Sequence, residues 1–198
     1  MRVLRESTEE EMVASFLQGE ISSDRFGHAI RVELTSMGEP DELLTRPDLS
    51  DPRSNEARAK VLAATRGYRE DRELFEAFPT EVRWVKALLA PDELARVRYI
   101  EYSYWNEISG GSRLPADAAR RIRAGVEAFG VPNHRFLTLA SAIACGERFP
   151  PLILAGVTAE ELVCLEGHVR LTGYALASFP FEVECLVGTA LTMGRWAE

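Results

Sequence analysis

Apolar positions recur with helical spacing in the first third of the chain and with strand spacing after it. Ser7 followed by Glu10 forms a capping box and Gly19 closes the segment, which predicts a helix over 8–18. Ser22 or Ser23 caps a second helix with Phe26, Ile30 and Leu34 on one stripe, ended by Gly38-Glu39-Pro40. Pro40, Pro47 and Pro52 among Asp and Ser mark a loop over 40–54. Asn55 then caps a helix to about Tyr68, and Leu74, Phe75 and Phe78 suit a short docking helix. The pattern predicts an all-helical N-terminal segment, 1–78, ahead of a second domain, 79–198.

From Pro79 the texture changes. Val82, Trp84 and Lys86 alternate as in a strand, and Pro91 starts a short helix to Arg96. Val97 to Trp105, rich in aromatic and β-branched residues, predicts another strand, followed by a Gly-Ser loop over 106–115. Pro115 and Gly130 bracket a basic amphipathic helix. Asn133 caps a helix over 134–145, with Leu137, Ala140, Ile143 and Ala144 inward and Gly146 at its end. Leu152–Ala155 and Leu162–Leu165 are apolar runs joined by GVTAEE, too short for a parallel crossover, so the two strands should be antiparallel neighbours. After Gly167 the period becomes helical, with Leu171, Tyr174, Ala175 and Ser178 on one face. Phe181, Val183, Cys185 and Val187 alternate as a last, half-buried strand. The fold class is α+β, a small sheet with helices preceded by a helical segment.

Composition narrows the chemistry. A net charge of −8 argues against a general grip on nucleic-acid backbones, while leaving room for a local positive pocket. Cys145, Cys164 and Cys185 stand far apart in apolar runs and suit buried, reduced thiols in a cytoplasmic protein. No C-x-x-C or H-E-x-x-H occurs, so no structural zinc site is expected, and no run approaches membrane length. The strand that turns at Gly167 into a helix aims free backbone N–H groups at whatever sits above the turn, and an anion suits that position. His168 and Arg170 add a switchable donor and a fixed cationic fork to the same place. The alternative for this turn is an ordinary strand-to-helix connection in which Arg170 pairs with Glu166.

The stretch from Phe136 through PPLIL, LVCLEGHVRLTGYALA and FEVECLVGTALTMGRW, 136–196, resembles the ParB N-terminal/sulfiredoxin superfamily. The shared pattern is a helix ending in Gly, a P-P-apolar strand, a strand–acid–Gly–x–x–Arg–helix box and a last strand. Leu165-Glu166-Gly167-His168-Val169-Arg170 occupies the box, which reads G-E-R-R in ParB proteins, G-C-H-R in sulfiredoxins and D-G-H-H-R in free-serine kinases. The resemblance implies a ParB/sulfiredoxin-like mixed sheet and a nucleotide phosphate cradle at Glu166, Gly167, His168 and Arg170, with Thr172 on the same helical turn. Arg113 is similar to the basic residue of the family's first box.

The resemblance also implies what is missing. His168 stands where sulfiredoxins keep their catalytic Cys, which sets sulfinic-acid reduction aside. Val169 replaces the second His of the kinases, and no helix-turn-helix domain follows the fold. The expected function is a nucleotide-binding phosphotransferase, similar to a small-molecule kinase, or a nucleotide hydrolase. ATP, ADP or CTP would bind, with or without magnesium, beside an unidentified small-molecule acceptor. His168 would orient or protonate the transferring group, and Glu107, expected on a loop, would act as base or magnesium ligand. The alternative is a non-catalytic nucleotide-sensing or partner-binding module whose N-terminal helices contact a protein partner or a second copy. A nuclease or DNA-binding role ranks third.

Overall fold

The computed structural model describes residues 1–196 and divides them into two compact units, Ser7–Trp84 and a second made of Met1–Glu6 with 85 onward. Ala197 and Glu198, within the expected second domain, lie outside the described residues. The described residues form nine α-helices and one five-stranded mixed sheet, so the class is α+β. The expected all-helical stretch over 1–78 begins instead with a strand, β1 (Arg2–Glu6).

The helical unit holds α1 (Glu9–Glu20), α2 (Gly27–Met37), α3 (Glu42–Thr45), α4 (Pro52–Arg66) and a 3₁₀ turn at Glu73–Phe75. Thr8, not Ser7, caps α1, its hydroxyl accepting from Glu11 N at 3.2 Å, and Gly19 lies inside the helix. Asp51, not Asn55, caps α4, because Pro52 at the first helical position fixes φ while the Asp51 carboxylate accepts from Arg53 N at 3.1 Å and Ser54 N at 3.2 Å. Asn55 instead holds Leu49 O and the guanidinium of Arg58, a side chain only 1% exposed. Arg58 also donates to Leu43 O at 3.1 Å and Asp48 O at 2.8 Å, tying the proline-rich loop to α4.

The sheet unit continues with β2 (Arg83–Leu89), α5 (Pro91–Leu94), α6 (Ser103–Ser109), α7 (Pro115–Arg123), α8 (His134–Ala144), β3 (Leu152–Gly156), β4 (Val163–Glu166), α9 (His168–Leu176) and β5 (Val183–Thr189). Strand order is β1-β2-β5-β3-β4. As expected from the short connection, β3 and β4 are antiparallel; β3 runs parallel to β5 and β1 antiparallel to β2. The register of β1 shifts between Val3 and Arg5, and such a bulge blunts an edge strand against further pairing. Phe136, Ile143, Leu171 and Tyr174 from α8 and α9 share one core with Leu152, Leu154, Cys164 and Cys185 from the sheet.

Two expected features differ. Residues 97–105 are not a strand. Only Arg98 bridges to Val163, its N–H donating to Leu162 O at 2.9 Å and its carbonyl accepting from Cys164 N at 2.8 Å. The chain then enters α6, which Gly110 ends at φ 69°. Aromatic residues packed on and before a helix of about two turns mimic strand composition. On α8 the inward residues are Phe136 and Ile143, with Leu139 half-buried, while Leu137 is 49% exposed. Cys145 is exposed, unlike the buried Cys164 and Cys185. No helix among the described residues is long and apolar enough to cross a membrane.

Candidate functional site

The turn between β4 and α9 starts at Gly167 as expected, and Arg170 pairs with Glu166 as in the ordinary strand-to-helix alternative. Gly167 adopts φ 99°, a conformation in which side chains with a Cβ are strained, and α9 starts at His168. A Cβ at Gly167 would lie 2.6 Å from Leu152 Cδ2 and 3.0 Å from Arg170 Nη2. Glycine is therefore required both by the backbone and by the close passage of the Arg170 guanidinium.

That guanidinium is paired. Arg170 Nη2 donates to Glu166 Oε2 across the turn, and each side chain is 12% exposed. Arg170 Nε is buried with no hydrogen-bond partner among the described residues. The fork thus uses one of the two donors on its Nε–Nη edge on a single carboxylate oxygen.

Below the turn His168 lies on an aromatic stack. Its ring is parallel to Trp105, with centroids 4.9 Å apart and planes at 17°, and Tyr99 lies 6.1 Å away at 25°. Tyr99 in turn stacks on Trp105 at 4.8 Å. Sequence reasoning placed these aromatics on a strand and missed the platform. The signal available was the run of aromatics just ahead of a helix-ending glycine.

Thr172 is turned into the core. It is fully buried, donates to His168 O at 2.8 Å, and lies 2.7 Å from the Tyr99 hydroxyl. With the single Thr172 proton committed to His168 O, the Tyr99 O–H is the donor of the second bond. Burial also pushes the Tyr99 phenol above its ordinary pKa, so it stays protonated. Thr172→Val is expected to strand that buried hydroxyl, lowering stability by about 1–3 kcal/mol in denaturant unfolding.

Arg113 is also structural. It is 9% exposed, sits at φ 60°, and its Nε donates to Tyr99 O at 2.8 Å, while its own carbonyl accepts from Tyr99 N at 2.8 Å. It clamps the chain before α6 to the chain before α7, and burial lowers its pKa. Glu107, expected on a loop, lies on α6 with 52% of its side chain exposed and reaches Arg121 of α7 at 3.8 Å. Trp105, not Glu107, is the α6 residue that meets His168.

The structure therefore gathers Glu166, Gly167, His168 and Arg170 at one turn, keeps Thr172 and Arg113 in the scaffold, and leaves Glu107 on another pairing. Among the described residues no three or more His, Cys, Asp or Glu side chains gather as a metal-ion group. Cys164 and Cys185 are held protonated, chiefly by burial. Clefts elsewhere in the sheet unit, lined by Arg96, Arg98, Leu114 and Glu160–Val163 on one side and by Met1, Glu93 and Val97 on the other, include none of the expected site residues. No family description, curated protein or solved structure matches this chain.

Proposed function

We propose that the sheet unit is a ParB/sulfiredoxin-like nucleotide-binding module that receives phosphate at the β4–α9 turn. The observation that carries this reading is the turn itself, where a left-handed Gly167 opens α9 directly beside the Arg170 fork. The first N–H groups of a helix and its dipole favour a negative group there, and a guanidinium adds fixed charge and planar donors. His168, held flat against Trp105, lies at the first helical position and borders the same space.

Binding is better supported than transfer. A phosphotransferase needs a base or metal ligand near the phosphate, and Glu107, the residue expected in that role, is engaged with α7. The sensing reading therefore stands ahead of the kinase-like one, and a turnover assay separates them. Consumption of nucleotide in the presence of hydroxyl acceptors would restore the transferase; binding without consumption supports a sensor.

The direct test is a thermal-shift panel of ATP, ADP, CTP and GTP, each with and without magnesium, on the wild type and Arg170→Ala. A nucleotide at a hundredfold its dissociation constant adds about 2.7 kcal/mol, or about 5–10 °C for a chain this size. The shift is expected with at least one nucleotide and should vanish in Arg170→Ala. No shift with any of the four would sink the proposal.

A further inference from the structure

The Arg170 guanidinium rests over Gly167, with its Nη2 and Nε at 3.0 and 3.2 Å from where a Cβ would stand. This Nε–Nη edge is the one that takes two oxygens of a phosphate or carboxylate side by side. Here it is half used. Glu166 supplies one oxygen to Nη2, and Nε is buried without a hydrogen-bond partner among the described residues.

The arrangement follows from the turn. Glu166 ends β4, Gly167 reverses the chain at positive φ, and Arg170 comes round one helical turn later, four positions on. Two largely buried, opposite charges then face each other. Removing one from such a pair leaves the other uncompensated, so an unoccupied Arg170 is unfavourable unless some anion replaces the carboxylate. A buried donor with no acceptor is also unfavourable, and a two-oxygen acceptor on the same edge relieves it.

We propose that Glu166 is an internal anion holding the phosphate position of Arg170, displaced only by a ligand that presents two oxygens to the Nε–Nη edge. This inference rests on the nucleotide-phosphate reading above and adds to it a specificity-determining role for Glu166. The carboxylate sets a threshold. Anions that offer one oxygen merely match what Glu166 already provides, whereas a phosphate group gains a second charge-assisted bond.

The test is isothermal titration of the full chain with ATP and with inorganic pyrophosphate on the wild type, Glu166→Gln and Arg170→Ala. Glu166→Gln keeps the side-chain shape and removes the competing charge. It is expected to bind at least one of the two probes about tenfold tighter than the wild type, the scale of one lost charged competitor. Arg170→Ala should not bind. Measurable wild-type binding with equal or weaker binding in Glu166→Gln would overturn the role of Glu166 and leave the cradle standing. Silence from both wild type and Glu166→Gln, or undiminished binding in Arg170→Ala, would remove the cradle and this inference together. If Glu166→Gln does not fold alone, refolding with pyrophosphate replaces the titration. Recovery of the native circular dichroism supports the exchange of anions, and no recovery overturns it.

Discussion

Arg58→Ala is expected to unfold the helical unit selectively, with a loss of about 3–5 kcal/mol. The side chain is 1% exposed and donates to Leu43 O, Asp48 O and Asn55 Oδ1. Truncation leaves the buried Leu43 carbonyl and the Asp48 carbonyl without their donor, and a cavity the width of a guanidinium. Burial lowers the Arg58 pKa, and Asp48 and Asp51 work in the opposite direction, favouring the cation. Arg58→Lys should recover only part of the loss, because one ammonium cannot reach all three acceptors in the plane of a guanidinium. Hydrogen exchange read segment by segment checks this: protection should fall over 7–84 and persist in the strands β3 and β5. Uniform loss across both units would contradict it.

Gly167→Ala is expected to have the second large effect, confined to the sheet unit. The substitution places an L side chain at φ 99° and pushes its Cβ against Leu152, a residue with no exposure at the centre of the core. Left-handed strain and overpacking together cost about 2–4 kcal/mol. At about 2–4 °C per kcal/mol for this chain length, the transition of the sheet unit should fall by about 4–16 °C. An unchanged melt would mean that the β4–α9 turn relaxes freely and holds no fixed position for its side chains.

The parts that were legible in the sequence are those whose signal is local. The apolar runs Leu152–Ala155 and Leu162–Leu165 needed only their own composition, and GVTAEE was short enough to fix their antiparallel pairing. Gly167 announced the start of α9 because a glycine between an apolar run and a helical period has few other uses. β1 was invisible for the opposite reason. All five of its residues are exposed, so RVLRE shows no buried face, and its strand character comes from pairing with β2 far along the chain.

The 97–105 segment failed differently. Its aromatic residues satisfy strand statistics, yet Tyr99 and Trp105 stack with His168, contacts across more than sixty positions that no local pattern encodes. The same limit explains the site residues. Glu166, Gly167 and Arg170 meet at one turn, as expected, because spacing alone sets their relation. Thr172 and Arg113 are buried against Tyr99, a partner that became identifiable only once the chain had folded.

The two units are interleaved in the chain, and that has a kinetic consequence. β1 is made first, but its partner β2 emerges only after the whole helical unit, so the β1–β2 hairpin has a folded domain for its loop. Within that domain Ser7 N donates to Trp84 O at 3.0 Å, so its two ends leave side by side. Once the helices are assembled, the two strands are delivered at hairpin distance and the entropy of closing a long flexible loop has already been met. A helical unit that folds late would instead leave β1 searching for its edge, and β2, β5, β3 and β4 would wait as a four-stranded sheet with β2 unprotected.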